Sequence, residues 1–166
     1  MLTFVHIKKI EDFDFQEAEY FSLYYENNDN SVFDIFLEKH IDMQEIEAEF
    51  GDLMAWIEKL GNEGTEARFF RHEKKADALP PNLKYLDFEY EKQLRLYCLR
   101  LSDRAVILFG GGIKTTDKAQ DCKNVATHFY EAQQFCKHLN ELIRNKEVYI
   151  DIETQQLIID TEGFYL

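Results

Sequence analysis

The chain has 166 residues, of which 45% are hydrophobic, and this length suits one domain with a proper core, whereas two would be cramped. Residues 1–9 lack the apolar run and cleavage site of a signal peptide, and no segment reaches the roughly 18 apolar residues of a membrane span. Cys98, Cys122 and Cys136 have no CxxC spacing and predict buried free thiols, without a disulfide framework or zinc site. We therefore expect a cytoplasmic protein with no membrane contact, metal or cofactor.

The formal net charge of −13 is distributed unevenly along the chain. Residues 1–64 contain 4 Lys/Arg and 16 Asp/Glu (−12), residues 65–125 contain 12 and 9 (+3), and residues 126–166 contain 3 and 7 (−4). The acidity therefore belongs mostly to the N-terminal part, and the middle of the chain is mildly basic. Nucleic-acid binding gains from a basic surface, so the overall charge opposes free binding to a polyanion.

The first predicted element is an aromatic-rich strand over residues 19–25, followed by a turn at residues 27–30. Ser31 and Asp34 have the spacing of a capping box, which predicts the start of a short helix. Its apolar face would be formed by Val32, Phe33, Phe36 and Leu37.

A second helix is predicted over residues 46–60, where apolar residues recur at steps of three and four, and Gly61 is expected to end it. Residues 62–82 are polar and basic and lead to two prolines, which favours a short helix or an ordered loop. The strands that follow are expected to pair with one another in sequence order.

Three strands are predicted over residues 83–90, 94–101 and 104–109. The corner at Ser102 and Asp103 is short enough to pair the last two as an antiparallel hairpin, which runs out into the glycines 110–112. A long amphipathic helix over 125–143, capped by Asn124, and a final hairpin of 148–152 with 156–159 complete the chain. This order predicts an α+β fold with an antiparallel sheet and a small C-terminal hairpin.

The order of elements, with the sequences of residues 94–99 and 105–116, resembles the RelE/ParE superfamily of bacterial toxins, most of all its HigB-type and phage-derived relatives. In that family a strand with an arginine leads by a tight turn into an apolar strand, then a glycine or aromatic corner and Lys-Lys-Thr or Lys-Thr. The resemblance covers about residues 19–120 of a single domain spanning 1–166, and leaves residues 121–166 for the long helix and terminal hairpin. It implies the strand-helix-helix-three strands-helix order of that fold.

The resemblance implies the toxin of a toxin–antitoxin pair, and one class of such toxins cleaves mRNA on the ribosome without a metal. Such a protein would bind a cognate antitoxin and the ribosome or mRNA. By position, Arg95 matches the family's strand arginine and Lys114 its lysine after the last strand, and Arg104 and Tyr97 are further catalytic candidates. Cations and hydrogen-bond donors of this kind stabilise an anionic phosphorane-like transition state.

The densest basic cluster of the chain gives the nucleic-acid-binding candidates, which are Arg68, Arg71, Lys74 and Lys75. A short charged segment is also compatible with simple solvation. Arg95 and Tyr97 alternate with Leu94, Leu96 and Cys98, so they equally fit the solvated face of a half-buried sheet.

Two departures from the family leave other functions open. The chain is acidic where such toxins are basic, and Ile113 stands where the second lysine of the motif would be. The alternative is a non-enzymatic protein-interaction module that keeps the same fold. A small-molecule enzyme with the glycine corner as a phosphate loop is a third possibility, and the spacing of His128 and His138 does not favour a metal site.

Overall fold

The computed structural model describes residues 2–81, 93–115 and 123–166. Within these ranges the chain forms nine strands and three α-helices. In chain order they are β1 (Phe4–Lys9), β2 (Glu19–Tyr25), α1 (Val32–His40), α2 (Glu47–Glu63), β3 (Arg71–Glu73), β4 (Ala76–Leu79), β5 (Leu94–Ser102), β6 (Ala105–Ile113), α3 (Lys123–Arg144), β7 (Val148–Ile150), β8 (Leu157–Ile159) and β9 (Gly163–Tyr165). Two 3₁₀ turns, Gln44–Ile46 and Ala67–Phe69, precede α2 and β3.

Seven strands form one sheet in the order β3-β4-β5-β6-β2-β1-β9. Among the strands that the structure describes, β2 and β6 are the only parallel pair in this sheet, and β7 and β8 form a separate antiparallel hairpin. The α+β class with a mostly antiparallel sheet is confirmed, as is the terminal hairpin. The sheet is larger than the sequence predicted, because β1, β9 and the β3–β4 hairpin join it. The strand predicted over 83–90 lies outside the described residues.

Both faces of the sheet are buried at its central strands, β5 and β6. Along β6, Ala105, Ile107 and Phe109 belong to a core cluster covered by α3, whereas Val106 and Leu108 belong to a second cluster covered by α1 and α2. A strand buried on both faces needs apolar side chains in both directions, which explains the unbroken run of residues 105–109. The interpretation that one face of this sheet is solvated is therefore wrong for its central strands.

Helix α1 begins as the sequence predicted. Ser31 Oγ accepts a hydrogen bond from the Asp34 N–H at 2.9 Å, and Asp34 Oδ2 accepts one from the Ser31 N–H at 2.9 Å. Helix α3 was also predicted, but Asn124 lies inside it and is not its N-cap.

Helix α2 continues past Gly61, so the prediction that this glycine ends the helix is wrong. The Phe15 ring packs against Gly61 so closely that a Cβ there would come within 2.2 Å of Phe15 Cδ2. The helix ends instead at Gly64, whose φ of 115° suits a residue without a side chain.

The basic segment after α2 contains the Ala67–Phe69 turn and the β3–β4 hairpin, in place of the expected short helix or loop alone. At the other end of the chain, β9 pairs antiparallel with β1, with Phe164 opposite Val5. The division of the chain at residue 120 stays a prediction.

Candidate functional site

Arg95 and Tyr97 point from β5 toward α3, and that helix buries them. Arg95 is 6% exposed and Tyr97 is fully buried, with the Tyr97 ring in edge contact with Phe129 of α3. Arg95 Nη1 donates a hydrogen bond to the Leu94 carbonyl oxygen at 3.0 Å. Burial, followed by the nearby Arg71 charge, lowers the pKa of Arg95 to about 10. These two side chains are thus parts of the packed interior.

Lys114 directly follows β6, and its N–H donates to the Gln93 carbonyl oxygen at 2.7 Å. Because Arg95 pairs with Gly112, Arg95 and Lys114 lie at the same end of the β5–β6 hairpin. The glycines do not form a corner, since β6 runs through them to Ile113. A Cβ on Gly112 would lie 2.5 Å from the Asn124 carbonyl oxygen of α3, so the glycine permits close strand–helix packing.

Arg104 occupies the turn at the opposite end of this hairpin. Nine strand residues, about 30 Å at the usual rise, separate the two ends. Arg104 forms an ion pair with Glu17 at 2.9 Å and contacts the Thr154 carbonyl oxygen at 3.5 Å. The fold therefore does not bring Arg104 together with Arg95 and Lys114.

The four basic residues proposed for nucleic-acid binding lie in different surroundings. Arg68 forms an ion pair with Glu66 at 2.9 Å, and Lys74 lies 5.9 Å from the centroid of the Phe129 ring. The Lys75 N–H donates to Gln133 Oε1 at 2.9 Å. Half-buried Arg71 donates from Nε to the Pro80 carbonyl oxygen at 2.9 Å, and its charge acts on Arg95. Of the four, Arg71 is the one that the structure places near a catalytic candidate.

Sequence reasoning missed a pocket between α1 and α3, with a cavity volume of about 180 Å³. Tyr25, Lys39, His128 and Glu131 supply its polar side chains. These residues lie on three different elements, so no local spacing indicates them. One feature of the sequence could have indicated the pocket. The unbroken apolar run of β6 predicts a strand that is buried on both faces, so helices must cover both faces and can bring side chains together at the end of the sheet.

A second concavity, the acidic notch, lies between the end of α1 and the start of α2. Its lining residues are Ile41, Asp42, Met43, Gln44 and Glu47, and its volume is about 240 Å³. Ile41 is 58% exposed there. The notch combines carboxylates with an uncovered apolar side chain.

No protein-family model, curated protein or solved structure matches this chain. Within residues 2–81, 93–115 and 123–166, no three His, Cys, Asp or Glu side chains are grouped as metal ligands would be. None of the described helices is long and apolar enough to cross a bilayer. The resemblance to RelE/ParE toxins stays a prediction, and function is inferred from the side chains themselves.

Proposed function

We propose that this chain is a non-enzymatic interaction module that binds a basic protein partner through its acidic N-terminal half. The observation that carries the proposal is that all five arginines of residues 65–125 have partners within the chain. Their contacts are Arg68 with Glu66, Arg71 with Pro80, Arg95 with Leu94, Arg100 with Asp103, and Arg104 with Glu17. The arginines of the basic segment are thus engaged within the chain, whereas most carboxylates of residues 1–64 are exposed.

The acidic notch and its surroundings form one part of the acidic surface. Glu38, Asp42, Glu45 and Glu47 are exposed, and none forms an ion pair with any residue that the structure describes. A partner's arginine could bind these carboxylates in a bidentate manner, because its planar guanidinium matches their geometry. Ile41 offers the apolar contact that interface cores provide beside their polar rims.

The proposal includes a RelE/ParE-like core, as the resemblance implies. In its support, β2 is followed by α1 and α2, the later strands β4, β5 and β6 are antiparallel neighbours, and β2 lies beside β6. The competing proposal is the metal-free ribonuclease of a toxin–antitoxin pair, bound by its antitoxin. The proximity of Arg71 to Arg95 favours it, and the burial of Arg95 opposes it because a substrate phosphate must reach the guanidinium.

Neutralising the acidic notch tests the interaction proposal. The variant Asp42→Asn, Glu45→Gln, Glu47→Gln removes three charges, and Glu147→Gln, Glu153→Gln, Glu162→Gln removes three from exposed sites elsewhere. With an arginine-rich peptide as the probe, we expect the first variant to weaken binding about tenfold and the second to leave it within about twofold, since each exposed ion pair contributes up to about 1 kcal/mol. Equal weakening by both variants would refute a specific acidic site.

Expression in bacterial cells tests the competing ribonuclease. The interaction proposal expects normal growth and intact mRNA. Growth arrest with mRNA cleavage would overturn it, provided that Lys114→Ala abolishes the arrest and leaves the urea unfolding midpoint unchanged. Lys114 suits this purpose better than Arg95, because Lys114 is not part of the buried core.

A further inference from the structure

The pocket between α1 and α3 lies where two parallel strands separate. β2 and β6 are paired with each other from Glu19–Ala105 to Ser22–Leu108. Beyond that point they no longer pair with each other, and β2 continues beside β1 while β6 continues beside β5. Buried Ser22 marks the fork: its hydroxyl donates to the Leu108 carbonyl oxygen at 2.8 Å and accepts from the Phe33 N–H at 3.4 Å. The gap between the two carboxyl ends opens into the pocket, which we call the fork pocket.

The helices that follow β2 and β6 in the sequence pack on opposite sides of the sheet. After β2 the chain enters α1, whose Phe33 and Phe36 pack on one face, and the helix after β6 in the sequence, α3, packs on the other. In α/β sheets, a crevice outside the carboxyl ends of parallel strands with diverging connections is the usual ligand position. The fork pocket is such a crevice, built at the one parallel pair among the described strands of this sheet.

The body of the fork pocket is apolar. Val32, Ile35 and Phe36 of α1 form one wall, and the backbone of Gly110 and Gly111 forms the floor. A Cβ on Gly110 would lie 3.3 Å from His128 Nδ1 and 3.7 Å from the Val32 carbonyl oxygen, so the missing side chain leaves the space open. The volume of about 180 Å³ is close to that of cavities that hold one benzene ring, about 150 Å³.

Polar groups are found at two places in the pocket. Glu131 accepts a hydrogen bond from the Tyr25 hydroxyl at 2.8 Å, so one carboxylate oxygen is engaged within the protein. Lys39, in contrast, is exposed and forms no ion pair with a described residue, and its charge is felt by His128. Burial, Lys39 and His40 all lower the pKa of His128, so its ring is neutral near pH 7 and can donate one hydrogen bond.

We propose that the fork pocket binds a small monoanion with an apolar body about one ring in size, such as an aromatic carboxylate. The ring would lie on the Gly110–Gly111 floor against Val32 and Phe36, and the carboxylate would face Lys39. Charge complementarity selects an anion: Lys39 offers an uncompensated charge at the opening, and the Glu131 carboxylate disfavours a second negative group deeper inside.

Titrations followed by amide NMR shifts test this site, with benzoate as the anionic probe and benzyl alcohol as a neutral probe of similar shape. We expect saturable shifts centred on the Gly110 and Gly111 amides for both probes, with tighter binding of benzoate. Lys39→Gln should weaken the binding of benzoate about threefold to fivefold, as expected for the loss of one partly exposed ion pair. The affinity for benzyl alcohol should not change. Lys59→Gln removes an exposed lysine of α2 outside the pocket and should change the affinity for neither probe.

A blocking variant separates pocket binding from surface binding. Ile35 is 42% exposed at the pocket wall, so Ile35→Trp can fill the opening without a core change, and it should abolish the shifts with both probes. Ile152→Trp adds the same ring in the turn between β7 and β8, where Ile152 is 90% exposed and outside the pocket, and it should preserve the shifts. The proposal is overturned if the shifts do not saturate, if benzyl alcohol binds as tightly as benzoate, or if Ile152→Trp blocks binding as strongly as Ile35→Trp.

Discussion

The Tyr25 hydroxyl donates a 2.8 Å hydrogen bond to Glu131 and thereby joins the end of β2 to α3 across 106 positions of the sequence. Burial raises the pKa of Glu131, and the hydrogen bond from Tyr25 opposes that rise. Tyr25 also packs on Phe135, one turn farther along the same helix. The pair is therefore a hydrogen bond that links β2 to α3 at the edge of their apolar interface.

Replacing Tyr25 with phenylalanine should destabilise the protein more at neutral than at acidic pH. Because the pKa of Glu131 is raised on folding, the stability linked to its proton is fully present below the unfolded pKa and is lost as the pH rises through the folded pKa. Tyr25→Phe removes the opposing donor, raises the pKa of Glu131 further and enlarges this loss. We expect the free energy of unfolding to fall by about 1 kcal/mol more near pH 7 than near pH 4, measured by urea denaturation.

The double variant with Glu131→Gln is the control for this titration. Glutamine keeps an acceptor oxygen for Tyr25 and has no charge, so in its background the effect of Tyr25→Phe should be independent of pH. A pH-dependent difference that persists in the Glu131→Gln background would assign the titration to another group.

Glu49 should be far more important for stability than its acidic neighbours on α2. It is buried, and its Oε1 accepts hydrogen bonds from the N–H groups of Gln93 and Leu94, the latter at 3.2 Å. Glu49→Ala leaves both donors at the start of β5 without this acceptor, so we expect a loss of about 2–3 kcal/mol in the free energy of unfolding. Exposed Glu47→Ala is the matched control and should change it by less than about 0.5 kcal/mol. Similar losses in the two variants would contradict this role.

Two glycines should respond in opposite directions to alanine. A Cβ on Gly111 would lie 1.8 Å from the Arg95 carbonyl oxygen, so Gly111→Ala must force β5 and β6 apart and should cost more than about 3 kcal/mol or prevent folding. A Cβ on Gly51 of α2 meets no atom within 4 Å, and Gly51→Ala should stabilise the helix by about 0.5–1 kcal/mol. Thermal unfolding followed by circular dichroism measures both, and a stable Gly111→Ala protein would show that the two strands are not packed this closely.

Cys98 and Cys136 should be unreactive toward thiol reagents in the folded protein. Both are fully buried, and burial raises the pKa of Cys136 to about 12 and that of Cys98 well above its ordinary value. In a Cys122→Ser variant, labelling in native buffer should be slower than in denaturant by a factor on the order of a thousand, because exposure requires unfolding. Rapid labelling of one thiol in native buffer would mean that this part of the core opens locally.

For the candidate catalytic residues on β5, the sequence predicted which strand face they share but not whether that face is buried. The alternation along β5 correctly placed Arg95 and Tyr97 on one face, since the side-chain period of a strand is fixed by its backbone. Whether that face is solvated depends on α3, whose first described residue, Lys123, lies 26 positions after Tyr97. The residues of the fork pocket were missed for the same reason, because they meet only once both helices have packed.

By itself the sequence determined the features that depend on neighbours a few positions apart. The capping box of Ser31 and Asp34, the amphipathic faces of α2 and α3, and the pairing of β5 with β6 through a two-residue turn all belong to this group. The turn itself lies at residues 103–104, one position later than the predicted corner at Ser102 and Asp103, because Ser102 pairs with Ala105. Only the tertiary structure decided that β2 lies beside β6, that Arg95 is buried, and that Tyr25 meets Glu131. Those outcomes depend on pairs such as Ser22 and Leu108, 86 positions apart, which are brought together by burial of both sheet faces and leave no local pattern in the chain.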